Sequence, residues 1–284
     1  MCRTTTCDPA VSCGADPERC CQFDADGCDQ NGKKIVWPSS CVSYSVGESG
    51  APQLELTSDE FSEVLGASFG AWLDHNDCSG APPSLVAEFY GATSCEQLEV
   101  NQGPKARNAN IWFFPQPDAA AAIDSTEPSL DSSAIALATV TFDPATGEIW
   151  DIDVEIDANQ ISSSAEGSNG QADFQSILTH EVGHFLGLEH SRDPSAVMWP
   201  YYSAGDTSKR KITEDDTLGV CTIYPEDRDI PTDSCEPRGG YSSECGPASG
   251  CQVTLELRSQ RLGPWLLLLL SYPLLVIRRR FSRG

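Results

Sequence analysis

Hydrophobic and polar residues change rhythm several times along the chain, and each change marks an element. The run at residues 34–46, K-I-V-W-P-S-S-C-V-S-Y-S-V, alternates and predicts a first strand. Thr57-Ser58-Asp59-Glu60 is a capping-box start, after which Phe61, Val64, Leu65, Phe69 and Trp72 recur at helical spacing. A long helix packed under a sheet follows from that stripe. Short apolar runs at residues 85–90 and 109–114, bounded by Gly, Pro, Ser and Asn, predict strands two and three. The sharpest alternation comes next, at residues 134–157, which reads as a hairpin turning at residues 143–147 (D-P-A-T-G). In its second arm Ile152, Val154 and Ile156 share one face, and Asp151, Asp153, Glu155 and Asp157 share the other. A row of carboxylates repels itself unless it is solvated or bound to a cation, so calcium is one candidate and a solvated acidic face the other. A Ser/Gly-rich loop at residues 162–170 precedes a second helix opening at Asp173, with Phe174, Ile177, Leu178 and Val182 toward the core. Thr213-Glu214-Asp215-Asp216 starts a third, which carries Leu218, Cys221 and Tyr224.

Outside these elements the pattern breaks down in informative ways. Residues 1–33 hold six cysteines among Asp, Gly, Pro and Thr with almost no apolar periodicity, which predicts a disulfide-stapled cap without a core of its own. Residues 227–257, rich in Pro, Gly, Ser and acids, contain Cys235, Cys245 and Cys251 and read as a stapled linker. The tail, residues 258–284, carries an apolar run at 264–277 and then an arginine cluster. That run is 14 residues long, short of the ~20 that comfortably span a bilayer. It is similar to the C-terminal sorting tails of some bacterial exported proteins, which implies association with a membrane; a short membrane anchor is the plainer alternative.

Composition narrows the functional classes. The 284-residue chain is 39% hydrophobic, enough for one substantial core, and carries a net charge of −24. Six of its 18 basic residues lie from Arg258 onward, where there are no acids, so the remainder sets 12 basic against 42 acidic residues, a net of −30. Phosphate backbones are repelled by such a surface, which excludes nucleic acid as a partner. Thirteen cysteines point to an oxidising compartment, hence to an exported protein at the cell surface or outside the cell. Met1-Cys2-Arg3 opens directly into polar sequence, so a signal peptide is expected upstream of this start, with another export route as the alternative. Cys78 and Cys95, which flank the second strand, are expected to pair with each other.

The chemistry concentrates in residues 179–198, T-H-E-V-G-H-F-L-G-L-E-H-S-R-D-P-S-A-V-M, which hold three of the four histidines and the second of two methionines. On a helix His180 and His184 stand one turn apart on the same face, with Glu181 beside them. Gly187 lets the helix end in a left-handed turn, and the chain reverses to bring in His190. Three neutral nitrogens and an open fourth position distinguish a catalytic zinc site from a closed structural one. Zinc lowers the pKa of its bound water to about 7, and Glu181 is placed to act as general base. The remaining histidine, His75, falls in a polar loop and is expected to be exposed.

The pattern H-E-x-x-H-x-x-G-x-x-H followed by a methionine turn resembles the metzincin zinc peptidases. Ser191 after the third histidine, and S-A-V-M-W-P-Y-Y downstream, are similar to the matrixin branch in particular. This resemblance covers residues 34–225 and implies an α+β metzincin fold: a twisted mixed sheet of about five strands, three helices, a zinc-binding helix and a Met-turn, with the catalytic domain at residues 34–226. It implies a zinc-dependent metalloendopeptidase acting on extracellular protein or peptide substrates, and a monomer is expected. Met198 becomes the floor beneath the metal and Pro200, Tyr201 and Tyr202 one wall of the pocket for the side chain after the cut. It also makes Ile135, Ala136, Leu137 and Ala138, with Thr139, the edge that pairs with an extended substrate. The structural zinc common in such families is not expected, because its histidines are missing from the hairpin. Cys13, in S-C-G-A-D-P, lacks the context of the propeptide cysteine that blocks zinc in many matrixins. A competing reading keeps the zinc scaffold without turnover, as a binding or adhesion protein; the presence of Glu181 favours the enzyme.

Overall fold

The computed structural model describes residues 4–7, 11–16, 20–24, 30–75, 77–99, 105–115, 134–162, 171–228, 234–245 and 275–283. Its main sheet is built from β1 (Cys41–Gly47), β2 (Val86–Thr93), β3 (Ile111–Phe113), β4 (Ala134–Phe142) and β5 (Ile149–Ile156) in the order β2-β1-β3-β5-β4. The first four in that order run parallel and β4 is antiparallel to β5, so the sheet is mixed. Three helices, α1 (Ser58–Leu73), α2 (Phe174–Phe185) and α3 (Glu214–Ile223), complete the expected α+β architecture. A two-stranded ribbon, β6 (Ile161–Ser162) with β7 (Ala172–Asp173), leads into α2.

The local reasons for these elements match the sequence pattern. At the start of α1 the Thr57 hydroxyl accepts from the Glu60 amide at 3.3 Å, and the Glu60 carboxylate accepts from the Thr57 amide at 2.8 Å, a complete capping box. Phe61, Leu65, Phe69 and Trp72 then bury one stripe of α1, each contributing about 1.5–3 kcal/mol through loss of apolar surface to water. Trp72 also donates its indole N–H to the Thr179 carbonyl at 2.7 Å, which fixes α1 against α2. Tyr44 of β1 stacks on Phe69 with ring centroids 4.2 Å apart, so the helix layer and the sheet share one core. The first strand begins later than the alternation suggested, at Cys41, because Pro38 supplies no ladder N–H; Val36 makes only an isolated bridge to Glu148.

Three expectations need correction. The acidic face of β5 is not solvated: Asp151, Asp153 and Glu155 are 1%, 0% and 2% exposed. Asp153 spends its oxygens on the amides of Glu99 and Ile111, at 2.8 and 3.0 Å, because the chain around Cys95, Leu98 and Ile111 packs over that face. Burial first, and then the charge of Asp151, drive its carboxyl well above the usual range. Second, Cys78 pairs with Cys221 and Cys95 with Cys245. The intervening β2, eight residues long, extends by about 26 Å at the rise of a strand, and each of the two cysteines closes instead onto a later part of the chain. Third, the His75 side chain is only 15% exposed and lies 3.6 Å from the Asp77 carboxylate. The sorting or anchor reading of the tail falls mostly on residues outside the described ones, and only its last part is described. Leu275–Arg283 forms β9, which lies between β4 and the short β8 (Tyr201–Tyr202), while residues 264–274 fall outside the described residues. Among the described residues no helix is long and apolar enough to cross a membrane.

Both flanking stretches are tied to this body. The Thr4 amide donates to the Gly187 carbonyl at 3.1 Å and the Ile35 amide to the Thr4 carbonyl at 3.0 Å. Cys7 is joined to Cys21 and Cys13 to Cys20, so Cys13 offers no thiolate to a metal. Residues 234–245 are stapled to the sheet through Cys41–Cys235 and Cys95–Cys245.

Candidate metal centre

The centre is assembled from the N-terminus of α2 onward. Asp173 caps the helix, accepting from the Ser176 amide and hydroxyl at 2.9 and 2.8 Å, and Arg210 clamps the same carboxylate with two hydrogen bonds at 2.9 and 2.5 Å. Two turns later His180 and His184 face the same side, ring centroids 4.9 Å apart. Gly187 sits at φ +88°, and a Cβ there would lie 2.3 Å from the Ile35 carbonyl oxygen; only glycine allows both the turn and the close approach. The chain then returns His190 to within 5.3 Å of His180 and 4.8 Å of His184, centroid to centroid. The three ligating atoms lie within 4.8 Å of one another.

The backbone fixes how these rings present themselves. His180 Nδ1 is 2.7 Å from the Val197 carbonyl and His184 Nδ1 is 2.9 Å from the Leu188 carbonyl. A carbonyl only accepts, so both rings carry the proton on Nδ1 and turn a lone pair on Nε2 inward. His184 Nε2 stands 3.2 Å from His190 Nε2, close to the ~3.3 Å spacing that tetrahedral coordination at bonds of about 2.0–2.1 Å requires. Burial, followed by the charges of His184, His190 and Lys209, holds His180 well below its ordinary pKa, in the neutral form a metal needs. Glu181 is fully buried, and burial pushes its carboxyl up to about 8. Among the described residues neither of its oxygens has a hydrogen-bond partner. Three imidazoles and a buried carboxylate with unused acceptors fit a zinc ion with a polarised water beside Glu181. The cation's charge would draw that carboxyl back toward ionisation.

Met198, 0% exposed, packs against the zinc-helix residue Gly183. Its turn is closed by the Ser191 amide donating to the Met198 carbonyl at 2.7 Å, and Ser191 Oγ reaches the Asp215 carboxylate at 2.6 Å. Asp216 accepts from the amides of Val197, Met198 and Thr213, at 2.8, 3.2 and 2.9 Å. The buried ammonium of Lys209 donates to the carbonyls of Val197, Trp199 and Tyr201, at 3.4, 2.6 and 3.0 Å, and burial lowers its pKa to about 8. Gly183 lets Met198 approach, since a Cβ on it would meet Met198 Sδ at 2.2 Å. Gly183, Asp216 and Lys209 were not singled out from the sequence. A glycine in mid-helix, costing about 1 kcal/mol against alanine, was a usable signal for the first. Asp216 was visible only as a capping residue, and nothing marked Lys209.

The other candidates are distributed unevenly. Ile135, Ala136, Leu137 and Ala138 all lie in β4 and are buried; their backbone faces β9, with Ala136 opposite Phe281, Leu137 opposite Arg280 and Ala138 opposite Arg279. Pro200 is half-buried and Tyr201 is 47% exposed. Tyr202 turns inward, its hydroxyl donating to the Asp206 carbonyl at 2.7 Å and accepting from the Asp173 amide at 2.5 Å. The two segments expected to meet substrate thus flank one slot. Asp151, Asp153 and Glu155 lie together on the buried face of β5, and Asp157 caps the turn at Ala158–Gln160; among the described residues the groups of three or more His, Cys or acidic ligand atoms are the three histidines and two acid–cysteine sets whose cysteines are disulfide-bonded.

Comparison with known proteins agrees with this geometry. The family described as Matrixin matches residues 37–225. Human (Homo sapiens) matrilysin is 40% identical over 83 residues, covering 29% of this chain and 30% of that protein. Matrix metalloproteinase-16 from Rattus norvegicus and Homo sapiens is 34% identical over 87 residues, 28% of this chain and 14% of each relative. The aligned stretch therefore spans less than a third of either relative.

Proposed function

The chain belongs to the matrixin family, and from that premise we propose that it is a zinc-dependent endopeptidase hydrolysing peptide bonds of proteins outside the cell. The observation that carries the reading is the buried Glu181 carboxylate, without a hydrogen-bond partner among the described residues, beside three converging histidines. His180, His184 and His190 would hold the zinc, which when bound supplies a Lewis acid and a water of pKa about 7. Glu181 takes the proton from the attacking water and delivers it to the leaving amine. Val197 and Leu188 carbonyls keep two of the rings in the required tautomer. β4 offers main-chain groups to an extended peptide, and Pro200, Tyr201 and Tyr202 bound the pocket for the side chain that follows the cut.

An oxidising, extracytoplasmic setting is supported by five disulfides among the described residues. Membrane association through the tail would require β9 to leave the sheet. The test is Glu181→Ala in the full chain. It should retain one zinc per chain by elemental analysis and lose about 100-fold or more in peptide hydrolysis. Equal cleavage by variant and wild type would sink the assignment, and zinc binding without cleavage by either would leave the silent scaffold.

A further inference from the structure

Between β4 and β8 lie residues 275–283 of the same chain. β9 runs antiparallel to β4 in a register that extends from Phe142 opposite Leu275 to Ala134 opposite Ser282, with one shift between Ala134 and Ala136. On its other side it runs parallel to β8, Tyr201 opposite Ser282 and Tyr202 opposite Arg283. β8 is bound to the metal centre, because Lys209 holds the Tyr201 and Val197 carbonyls together and Val197 receives His180. An extended main chain therefore lies along the wall that continues from the metal floor.

We propose that residues 275–283 are an intramolecular strand that occupies the peptide-binding slot, so that a substrate enters only after β9 is displaced or the tail is cut. This rests on the peptidase reading for its consequence, and on backbone pairing for its existence. A sheet edge satisfies its N–H and C=O groups with whatever extended chain is available, and main-chain pairing of this kind carries affinity with little dependence on sequence. Being covalently attached, β9 competes at an effective concentration on the order of 1 mM. Charge favours the same occupant. Residues 275–283 contain four arginines, whereas the chain before Arg258 carries 30 more acids than bases. An arginine-rich strand is thus drawn to this edge over an acidic or neutral competitor.

The test uses the full chain, wild type and Arg279→Pro/Arg280→Pro, each loaded with zinc. Adjacent prolines remove ladder N–H groups at both parities of the strand, whichever faces β4. Hydrogen exchange at residues 134–142 and binding of a fluorescent peptide of sequence LVIRRRFSR are measured in both, together with hydrolysis of a peptide library. The expected result is loss of protection in β4, peptide binding tighter by about tenfold or more in the variant, and faster hydrolysis reversed by added peptide. Equal protection and equal peptide binding in the two proteins would overturn the proposal. So would displacement of β9 with faster exchange and peptide binding but an unchanged, measurable rate of hydrolysis. If exchange and peptide binding shift as expected while neither protein hydrolyses anything, strand occupancy stands and the peptidase reading falls. Unchanged zinc stoichiometry shows that the prolines have not unfolded the body.

Discussion

Gly183 offers a sharp test of how the metal floor is built. Replacing a helical glycine by alanine ordinarily stabilises a protein by about 1 kcal/mol, through lower backbone entropy in the unfolded chain. Here the added methyl would meet Met198 Sδ at 2.2 Å, Trp72 Cζ2 at 2.9 Å and Met198 Cε at 3.1 Å. Neither neighbour can retreat easily, since both side chains are 0% exposed and the Trp72 indole is bonded to the Thr179 carbonyl. Overpacking of this kind costs about 1–3 kcal/mol, so set against that gain Gly183→Ala should be destabilising by about 0–2 kcal/mol net. Gly66 in α1 is the internal control. A Cβ there finds only the Tyr44 hydroxyl, at 3.5 Å, and Gly66→Ala should stabilise by about 1 kcal/mol. Urea unfolding of the two variants measures the contrast. Pushing Met198 away also shifts Val197, whose carbonyl orients His180, so zinc affinity in chelator competition should fall by about tenfold in the Gly183 variant alone. Equal stabilisation by both substitutions, with unchanged zinc affinity, would refute the packing account.

Lys209→Met removes the donor to three carbonyls and should cost about 2–3 kcal/mol by urea unfolding; a loss below about 0.5 kcal/mol would show that these carbonyls find other partners. Cys95→Ser with Cys245→Ser should lower stability by about 2–4 kcal/mol, read from thermal unfolding under non-reducing conditions. Burial pushes Asp173 upward, but hydrogen bonds from Arg210 and Ser176 outweigh it and leave its pKa below the ordinary 3.8. A depressed carboxylate stabilises the fold above its unfolded pKa and loses that contribution as pH falls through the folded value. The stability gap between wild type and Asp173→Asn should therefore be full at about pH 5 and shrink as the pH falls below the ordinary 3.8, and a constant gap would show that charge is not involved.

The periodic elements were legible because their residues bury the faces their spacing implies. Phe61, Leu65, Phe69 and Trp72 carry one helical stripe, and Ile152, Val154 and Ile156 one strand face, so local pattern and tertiary packing coincide. The three histidines and Gly187 were readable for the same reason, since one turn of helix and one left-handed residue place them. Legibility failed where a contact depends on distant chain. Nothing near Asp153 in sequence announces the amides of Glu99 and Ile111 that bury it. Cys78 and Cys95 are neighbours in sequence but pair with Cys221 and Cys245, and β9 joins a strand more than a hundred residues upstream.

The long-range disulfides also constrain when this protein can become itself. Cys78–Cys221, Cys41–Cys235 and Cys95–Cys245 span 143, 194 and 150 residues, each joining an early part of the chain to a late one. None can close until synthesis has passed residue 221, and two must wait for residue 235 or beyond. Cys41, Cys78 and Cys95 wait for their partners through that interval, with six earlier cysteines within the chain as wrong alternatives. Correct pairing is then a race between oxidation and the docking of β1, β2 and α3, in which slow delivery of the C-terminal third favours scrambled isomers.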